Sequence, residues 1–342
     1  MSRPLFKPTQ AIEQRLSARA QLPFGLVRRL PSGRRYLLGL GLPLLFALMY
    51  LYFALTTERF FTLSNTQDVL RQSATLGILA FGQAFAVLSG GVDLSVGSTV
   101  GLASVVDTLV AKAYGPWAGA AAALAAGAGV GLVNGLFVAR FRVNPFIVTL
   151  GMLSVVEGIA LTLTGGSYVQ GMPPGFSTLG YSSLGPVPYP ALIAAGAFVV
   201  ALVLLTRTRF GREVYAVGGN REAARLSGLP ITRVVWSIYV VVGAMAALAG
   251  VVLSSRVSSG QPELGRGMEL QSVAAVVLGG VSLFGGEGSL FGVLFGVLFV
   301  SFLQNGLNLQ NVSSFLQLAI IGSALIVAVT LDRIFTDRAQ ER

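Results

Sequence analysis

Apolar residues fill this chain in long runs, which short polar or glycine-rich segments interrupt. A helix needs about 20 apolar residues to cross a hydrocarbon layer about 30 Å thick. Ten segments have this pattern, at residues 36–55, 69–89, 95–113, 117–139, 145–165, 190–206, 232–253, 269–284, 289–307 and 314–331. We therefore predict an all-α fold, a polytopic membrane helical bundle with about ten transmembrane helices.

Two glycine-rich breaks interrupt the apolar runs. The first covers residues 90–98 and reads G-G-V-D-L-S-V-G-S, within an apolar run that is too long for one crossing. Non-helical backbone at membrane depth is tolerated only where protein or a water-filled path surrounds it. The second covers residues 279–283 and reads G-G-V-S-L, which is similar to residues 90–94. The breaks predict a passage through the bundle. The similarity between the two segments predicts a weak two-half internal repeat, as many transporters have.

The composition agrees with a membrane bundle and limits the available chemistry. Hydrophobic residues make up 54% of the chain and charged residues 11%, and 43 of the 342 residues are glycine. Small residues let membrane helices approach one another closely. The chain has no cysteine and no histidine, which excludes disulfides, thiol catalysis and zinc sites with Cys or His ligands.

The net charge of +10 is distributed as membrane orientation requires, so we expect contact with lipid and no nucleic-acid partner. With a cytoplasmic N-terminus, 19 Lys and Arg residues lie inside and five lie outside, in line with the positive-inside rule. This orientation places both termini in the cytoplasm. We expect a basic tail at 1–35, a transmembrane domain at 36–331 with a large cytoplasmic loop at 207–233, and a second tail at 332–342.

Polar side chains inside the predicted crossings are candidates for a hydrophilic path, because such groups are costly in lipid. We expect Asp93 to accept amide hydrogen bonds near Ser95 and to cap the following helix, a role compatible with lining the path. Glu157 has no basic residue within a turn on its own segment, so it should face the interior, be protonated or bond a polar partner. The candidate path residues are Asp93, Ser95, Ser98, Gln83, Asn134, Glu157, Gln304 and Asn305. The alternative for each is hydrogen bonding between helices.

The loop at 207–233 contains the signals of a short helix at 221–227. Asn220 is a good N-cap, and Glu222 suits the first turn because an acidic side chain there complements the helix dipole. Gly228 suits the position after the helix, and Pro230 cannot continue it. The sequence alone is also consistent with a plain surface helix between two crossings.

Both motifs resemble one family, the membrane permeases of ribose/xylose/galactose-type ABC importers. Their pattern G-G-I-D-L-S-V-G-S differs from residues 90–98 only at Val92, and their coupling pattern E-A-A-x-x-x-G matches residues 222–228. The resemblance covers about residues 40–332. It implies a permease subunit that imports a monosaccharide across the bacterial inner membrane, with an ABC ATPase subunit, a second permease subunit and a periplasmic sugar-binding protein as partners. It also implies that the loop helix docks on the ATPase through Asn220, Arg221, Glu222, Ala223, Ala224, Arg225 and Gly228.

No motif for bond-making chemistry is present in the sequence. The phosphate-loop pattern G-x-x-x-x-G-K-[ST] is absent, so we expect no enzyme activity and no cofactor on this chain, with ATP and Mg²⁺ bound by the partner ATPase. Two alternatives remain open. One is an ABC permease for branched-chain amino acids or nucleosides, and the other is an ion-coupled secondary transporter that uses Glu157 or Asp93 as its coupling acid.

Overall fold

The computed structural model describes residues 44, 46–317, 319–323, 326 and 330, and most of them are helical. The predicted tails at 1–35 and 332–342 lie outside the described residues. The helices are α1 Phe46–Thr56, α2 Leu63–Leu88, α3 Val96–Tyr114, α4 Pro116–Gly135, α5 Pro145–Thr164, α6 Thr178–Tyr181, α7 Tyr189–Arg207, α8 Arg209–Gly219, α9 Arg221–Leu226, α10 Ile231–Val257, α11 Met268–Leu278, α12 Leu290–Leu309 and α13 Ser314–Ser323. A π-helical turn, Leu136–Arg140, continues α4.

A small antiparallel hairpin lies between α6 and α7. Its strands are β1 Ser183–Leu184 and β2 Val187–Pro188, with Ser183 opposite Pro188 and Leu184 opposite Val187. The turn of this hairpin accepts a hydrogen bond at the Pro186 carbonyl from the Gln67 side chain near the start of α2 (3.0 Å). We call this side of the bundle the hairpin end, and the opposite side, which carries α8 and α9, the α9 end.

Six of the described helices are long and apolar enough to cross a membrane. They are α3, α4 with its π-helical turn, α5, α7, α10 and α12. These helices correspond to the crossings predicted at 95–113, 117–139, 145–165, 190–206, 232–253 and 289–307. The structure therefore confirms an all-α bundle of membrane-capable helices.

The remaining predicted crossings differ from the helices that the structure shows. α11 has only 11 residues, about 16 Å at 1.5 Å per residue, because it ends at Leu278. The crossing predicted at 269–284 is therefore wrong in its second half. The crossing predicted at 69–89 belongs to α2, which starts six residues earlier. α1 overlaps the crossing predicted at 36–55 and ends one residue beyond it, and α13 falls within the crossing predicted at 314–331. The other ends of these two crossings lie partly outside the described residues.

The long helix α10 lies at the centre of the core. Its alanines at 246, 247 and 249 are fully buried, and it packs on α2, α3 and α4. A Cβ added to Gly243 of α10 would lie 3.0 Å from the backbone nitrogen of Gly131 in α4. The glycine-rich composition thus serves close helix contact, as expected for membrane helices.

The two glycine-rich breaks begin with the same backbone turn. After α2, the Gly90 N–H donates to Val87 O (2.9 Å) and the Gly91 N–H to Ala86 O (2.9 Å). After α11, Gly280 donates to the carbonyl of residue 277 (2.9 Å) and residue 281 to that of 276 (3.2 Å). Gly90 and Gly280 have φ values of +80° and +79°, which glycine adopts without the steric cost of a Cβ. In this turn Gly90 therefore corresponds to Gly280. The sequence repeat, which matches residues 90–94 with 279–283, pairs Gly90 with Gly279 and so differs by one position.

Candidate functional site

Three segments meet at the α9 end of the bundle. The Gly286 N–H in the second break donates to the Leu88 carbonyl at the end of α2 (2.8 Å), so the two breaks are joined directly. From α8, the Tyr215 hydroxyl donates to the Gly288 carbonyl (3.0 Å), and burial raises the pKa of Tyr215. We call residues 88–90, 215–219 and 285–288 the break junction.

Glycine at position 218 allows the three backbones of the break junction to touch. A Cβ on Gly218 would lie 2.6 Å from the Gly286 nitrogen and 2.9 Å from the Leu88 carbonyl carbon. A Cβ on Gly285 would lie 2.7 Å from the Gly90 nitrogen and 3.0 Å from the Gly218 carbonyl oxygen. The end of α8 is therefore packed against the backbone of both breaks, with no side chain between them.

Four of the predicted path residues form one buried polar cluster around the first break. The Asp93 carboxylate accepts from the Ser95 N–H (2.9 Å), the Ser95 hydroxyl (2.6 Å) and the Asn134 amide (3.2 Å). Asn134, from α4, also donates to the Ser95 hydroxyl (2.9 Å). The fourth member is Gln83 of α2, and all four are at most 1% exposed. The predicted hydrogen bond from the Ser95 amide to Asp93 is confirmed.

The backbone of the first break is held from two further helices. With its amide oriented to satisfy both groups, the Gln83 side chain donates to the Asp93 carbonyl and accepts from the Asp93 N–H, at 3.2 Å each. The Thr149 hydroxyl of α5 donates to the Val92 carbonyl (3.3 Å). Buried non-helical backbone needs such partners, so this cluster keeps the break in shape. We call Asp93, Ser95, Asn134 and Gln83 the Asp93 cluster.

The other polar path candidates are spread over the molecule. Ser98 donates to the Ser95 carbonyl within α3 (3.0 Å). Asn305 exchanges two hydrogen bonds with Asn65 of α2 (2.7 and 3.1 Å). Gln304, one residue earlier on α12, lines a cavity of about 400 Å³ at the hairpin end. The eight predicted path residues are thus not brought together in one place.

Glu157 has a basic partner from a distant segment. Its Oε1 lies 2.8 Å from Nη2 of Arg266, in the loop that precedes α11. The glutamate side chain is 23% exposed and the arginine 66%. No pattern within α5 indicates this ion pair, because the partner is 109 residues away along the chain. Glu157 is therefore not an isolated acid.

Asp107 of α3 is a buried acid that the sequence analysis missed. It is 1% exposed, and its Oδ2 accepts from the Ser254 hydroxyl of α10 (2.6 Å). Its Oδ1 has no hydrogen-bond partner among the described residues. The signal was available, since Asp107 is a carboxylate within the crossing predicted at 95–113.

Ser254→Ala is expected to lower the stability of the protein, because it removes the hydrogen-bond partner of the buried Asp107 carboxylate. Leaving a buried polar group unsatisfied costs about 1–3 kcal/mol, and more for a charged group. The midpoint of thermal unfolding in detergent measures the effect. Ser64→Ala on the exposed start of α2 is the matched control. An equal midpoint for both variants would contradict a stabilising role of the Ser254–Asp107 contact.

The short helix in the loop at 207–233 matches the sequence prediction closely. α9 spans Arg221–Leu226, and the Asn220 side chain accepts from the Ala223 N–H (2.9 Å). Gly228 has φ +79° and follows the helix, and Leu229 donates to the Ala224 carbonyl (3.2 Å). The predicted N-cap and the predicted glycine stop are therefore confirmed.

The two alanines of α9 differ in exposure. Ala224 is 5% exposed and belongs to the hydrophobic core, so its side chain attaches α9 to the bundle. Ala223 is exposed, and Leu226 is 75% exposed. Leu226 was not among the predicted site residues, although it is a large apolar side chain on the outer face of a helix outside the membrane-capable segments.

A basic groove of about 1090 Å³ runs beside α9. Four arginines line it, together with Glu222 and the apolar start of α10; the arginines are Arg142, Arg221, Arg225 and Arg233. Arg225 and Glu222 form an ion pair within α9. Their hydrogen bond holds the pKa of Glu222 below its usual range. The groove therefore presents net positive charge around an exposed helix.

Comparison with known proteins identifies the family. The family model described as Branched-chain amino acid transport system / permease component matches residues 65–329. The ribose import permease protein RbsC of Bacillus subtilis (strain 168) is 42% identical over 272 residues, 79% of this chain and 84% of that protein. RbsC of Escherichia coli (strain K12) is 40% identical over 311 residues, 88% of this chain and 97% of that protein. The L-arabinose ABC transporter permease protein AraH of Azospirillum brasilense is 40% identical over 294 residues, 86% of this chain and 87% of that protein.

No solved structure matches this chain at a significant level. The relatives confirm the resemblance to sugar ABC importer permeases that residues 90–98 and 222–228 carry. The match of the family model covers most of the chain, including both breaks, the Asp93 cluster and α9. The chain therefore belongs to the branched-chain amino acid transport system / permease component family.

Proposed function

We propose that this chain is the transmembrane permease subunit of a bacterial ABC importer that moves a monosaccharide into the cell. The observation that carries the proposal is the capped helix α9 with its exposed Ala223 and Leu226, in a chain that covers 97% of a ribose import permease at 40% identity. The family description mentions branched-chain amino acids, but the similar relatives are named for ribose and arabinose. Their names favour a pentose or a related sugar as the substrate.

In this proposal the α9 end faces the cytoplasm and both termini lie on that side. The Lys and Arg distribution supports this orientation, and the four arginines of the groove lie at that end. The hairpin end then faces the periplasm, where a sugar-binding protein would dock. A second permease subunit, identical or different, completes the membrane part, and ATP with Mg²⁺ binds to the ATPase subunit.

In this proposal the movement of the ATPase subunit is transmitted to the bundle through the break junction. ATP binding closes the ATPase pair, α9 moves with it, and α8 transmits the shift to the two breaks that it contacts. Rigid-body movement of packed helices is the usual means of alternating access. The Asp93 cluster keeps the first break intact during this movement, whether or not its members also line the path.

Uptake measurements test the proposed function. The chain is reconstituted in proteoliposomes with its ATPase subunit and the cognate binding protein, and uptake of radiolabelled D-ribose, L-arabinose and L-leucine is followed with and without ATP. We expect ATP-dependent uptake of a monosaccharide. Uptake driven by a proton gradient without the ATPase subunit would favour a secondary transporter, and uptake of leucine alone would favour an amino-acid permease.

Leu226→Asp is expected to reduce binding of the ATPase subunit at least ten-fold, because it places a charge where an exposed apolar side chain would be buried. Co-purification of the ATPase subunit with a tagged permease measures the effect. Leu184→Asp is the matched control, since Leu184 is 65% exposed on the hairpin and lies at the opposite end. Retained binding by the Leu226 variant would contradict docking at α9.

A further inference from the structure

Side-chain amides from four helices converge on a cavity at the hairpin end of the bundle. The cavity has a volume of about 400 Å³, within the range of small-molecule sites. Its amides come from α2, α11, α12 and α13; they are Gln72, Gln271, Gln304, Asn308 and Gln317. Its eight lining residues carry no charge. The cavity is open to the outside, since Phe315 is 89% exposed, and polar side chains that converge on such an opening are available to a polar ligand.

Three of these amides have no protein partner within the described part of the chain. Gln317 donates to the Asn308 side chain (2.7 Å) and to the Val312 carbonyl (2.8 Å), which fixes one wall of the cavity. The side chains of Gln72, Gln271 and Gln304 make no hydrogen bond to any described residue, although each is only partly exposed. Their donors and acceptors are therefore free to bind something inside the cavity.

The chemistry of the cavity selects a neutral, hydroxyl-rich molecule. Each carboxamide offers both an acceptor oxygen and two N–H donors, and a sugar hydroxyl likewise donates and accepts. An amino acid carries two charges, and the cavity supplies no charged side chain to match them. The exposed ring of Phe315 at the same cavity adds apolar surface, which suits the C–H face of a sugar ring.

The location of the cavity fits an entry site. Arg71, the neighbour of Gln72, donates to the Ser183 hydroxyl of the hairpin (3.2 Å), so the cavity lies near the outer surface in the proposed orientation. We infer that these five amides form a monosaccharide site, which receives the sugar at the hairpin end of the bundle. The inference rests on the proposed sugar import and adds the residues that hold the substrate.

Single cysteines test the site cleanly because the chain has none of its own. Gln271→Cys and Gln304→Cys are introduced separately into the full transporter, and the rate of modification by a small hydrophilic thiol reagent is measured with and without saturating sugar. The sugar is whichever of D-ribose and L-arabinose the wild-type complex transports. We expect the sugar to slow modification at least three-fold at both positions. Gln310→Cys is the control, because Gln310 follows α12 outside the cavity and bonds Thr56.

Uptake kinetics supply the second measurement. We expect Gln271→Leu and Gln304→Leu each to raise the KM for sugar uptake about ten-fold, the effect of one lost hydrogen bond, while ATPase binding and the KM of Gln310→Leu stay unchanged. Monosaccharide uptake by the wild type with neither protection nor a KM change would overturn the site alone. Absence of monosaccharide uptake by the wild type would overturn the proposed function together with the site. Protection by leucine instead of sugar would overturn the choice of ligand.

Discussion

Gly218→Ala is expected to reduce sugar uptake at least ten-fold and to lower the midpoint of thermal unfolding. The added methyl group would meet the Gly286 nitrogen at 2.6 Å and the Leu88 carbonyl carbon at 2.9 Å. Both atoms are backbone, so no side chain can swing aside. The hydrogen bond from Gly286 to Leu88 must break or α8 must move away, and forced overpacking of this kind costs about 1–3 kcal/mol.

Gly219→Ala is the matched control for this prediction. The two glycines are neighbours at the end of the same helix, but a Cβ on Gly219 would have only Gly286 Cα within reach, at 4.0 Å. We expect wild-type uptake and equal or slightly higher stability, because alanine is the better helix former. Wild-type uptake by both variants would show that close contact within the break junction does not matter for transport.

Asp93→Ala is expected to lower the free energy of unfolding by about 2–4 kcal/mol and to abolish uptake. It removes the acceptor for the Ser95 N–H, the Ser95 hydroxyl and the Asn134 amide, all of them buried. A typical hydrogen bond contributes about 0.5–1.5 kcal/mol, and a buried donor left without its acceptor costs about 1–3 kcal/mol. Thermal unfolding in detergent and uptake in proteoliposomes measure the two effects.

Two further variants separate the role of Asp93 from a general effect of removing acids. Glu58→Ala removes an exposed carboxylate that makes no ion pair or side-chain hydrogen bond with any described residue, so stability should stay within about 0.5 kcal/mol of the wild type. Asp93→Asn keeps one acceptor oxygen but places an N–H₂ group near the Asn134 amide, so its effect should be intermediate. A wild-type midpoint for Asp93→Ala would refute the structural role of the cluster.

Local features were the most predictable from the sequence. The apolar runs predicted six helices that the structure confirms as membrane-capable, because period and length are properties of a single segment. The caps of α9 at Asn220 and Gly228 were equally predictable, since each depends on residues within one turn. The Asp93 contact with the Ser95 amide spans only two residues and was also anticipated.

Features that depend on distant segments were not predictable in this way. The partner of Glu157 lies 109 residues away, and no pattern within one helix indicates it. The burial of the Ala224 side chain was not predicted, because a six-residue helix has too few turns to show an apolar stripe. The convergence of Gln72, Gln271 and Gln304 depends on the packing of three helices. The early end of α11 follows from the glycine turn at 279–280, which was predicted as a break but was still placed inside the crossing at 269–284.

The helix α2 runs without interruption from the hairpin end to the α9 end of the bundle. At about 39 Å for 26 residues, it bonds the hairpin turn through Gln67 and ends at Leu88, whose carbonyl binds Gly286. Because the helix is continuous, a force that tilts its start at the hairpin would also act on the second break, which its last carbonyl binds.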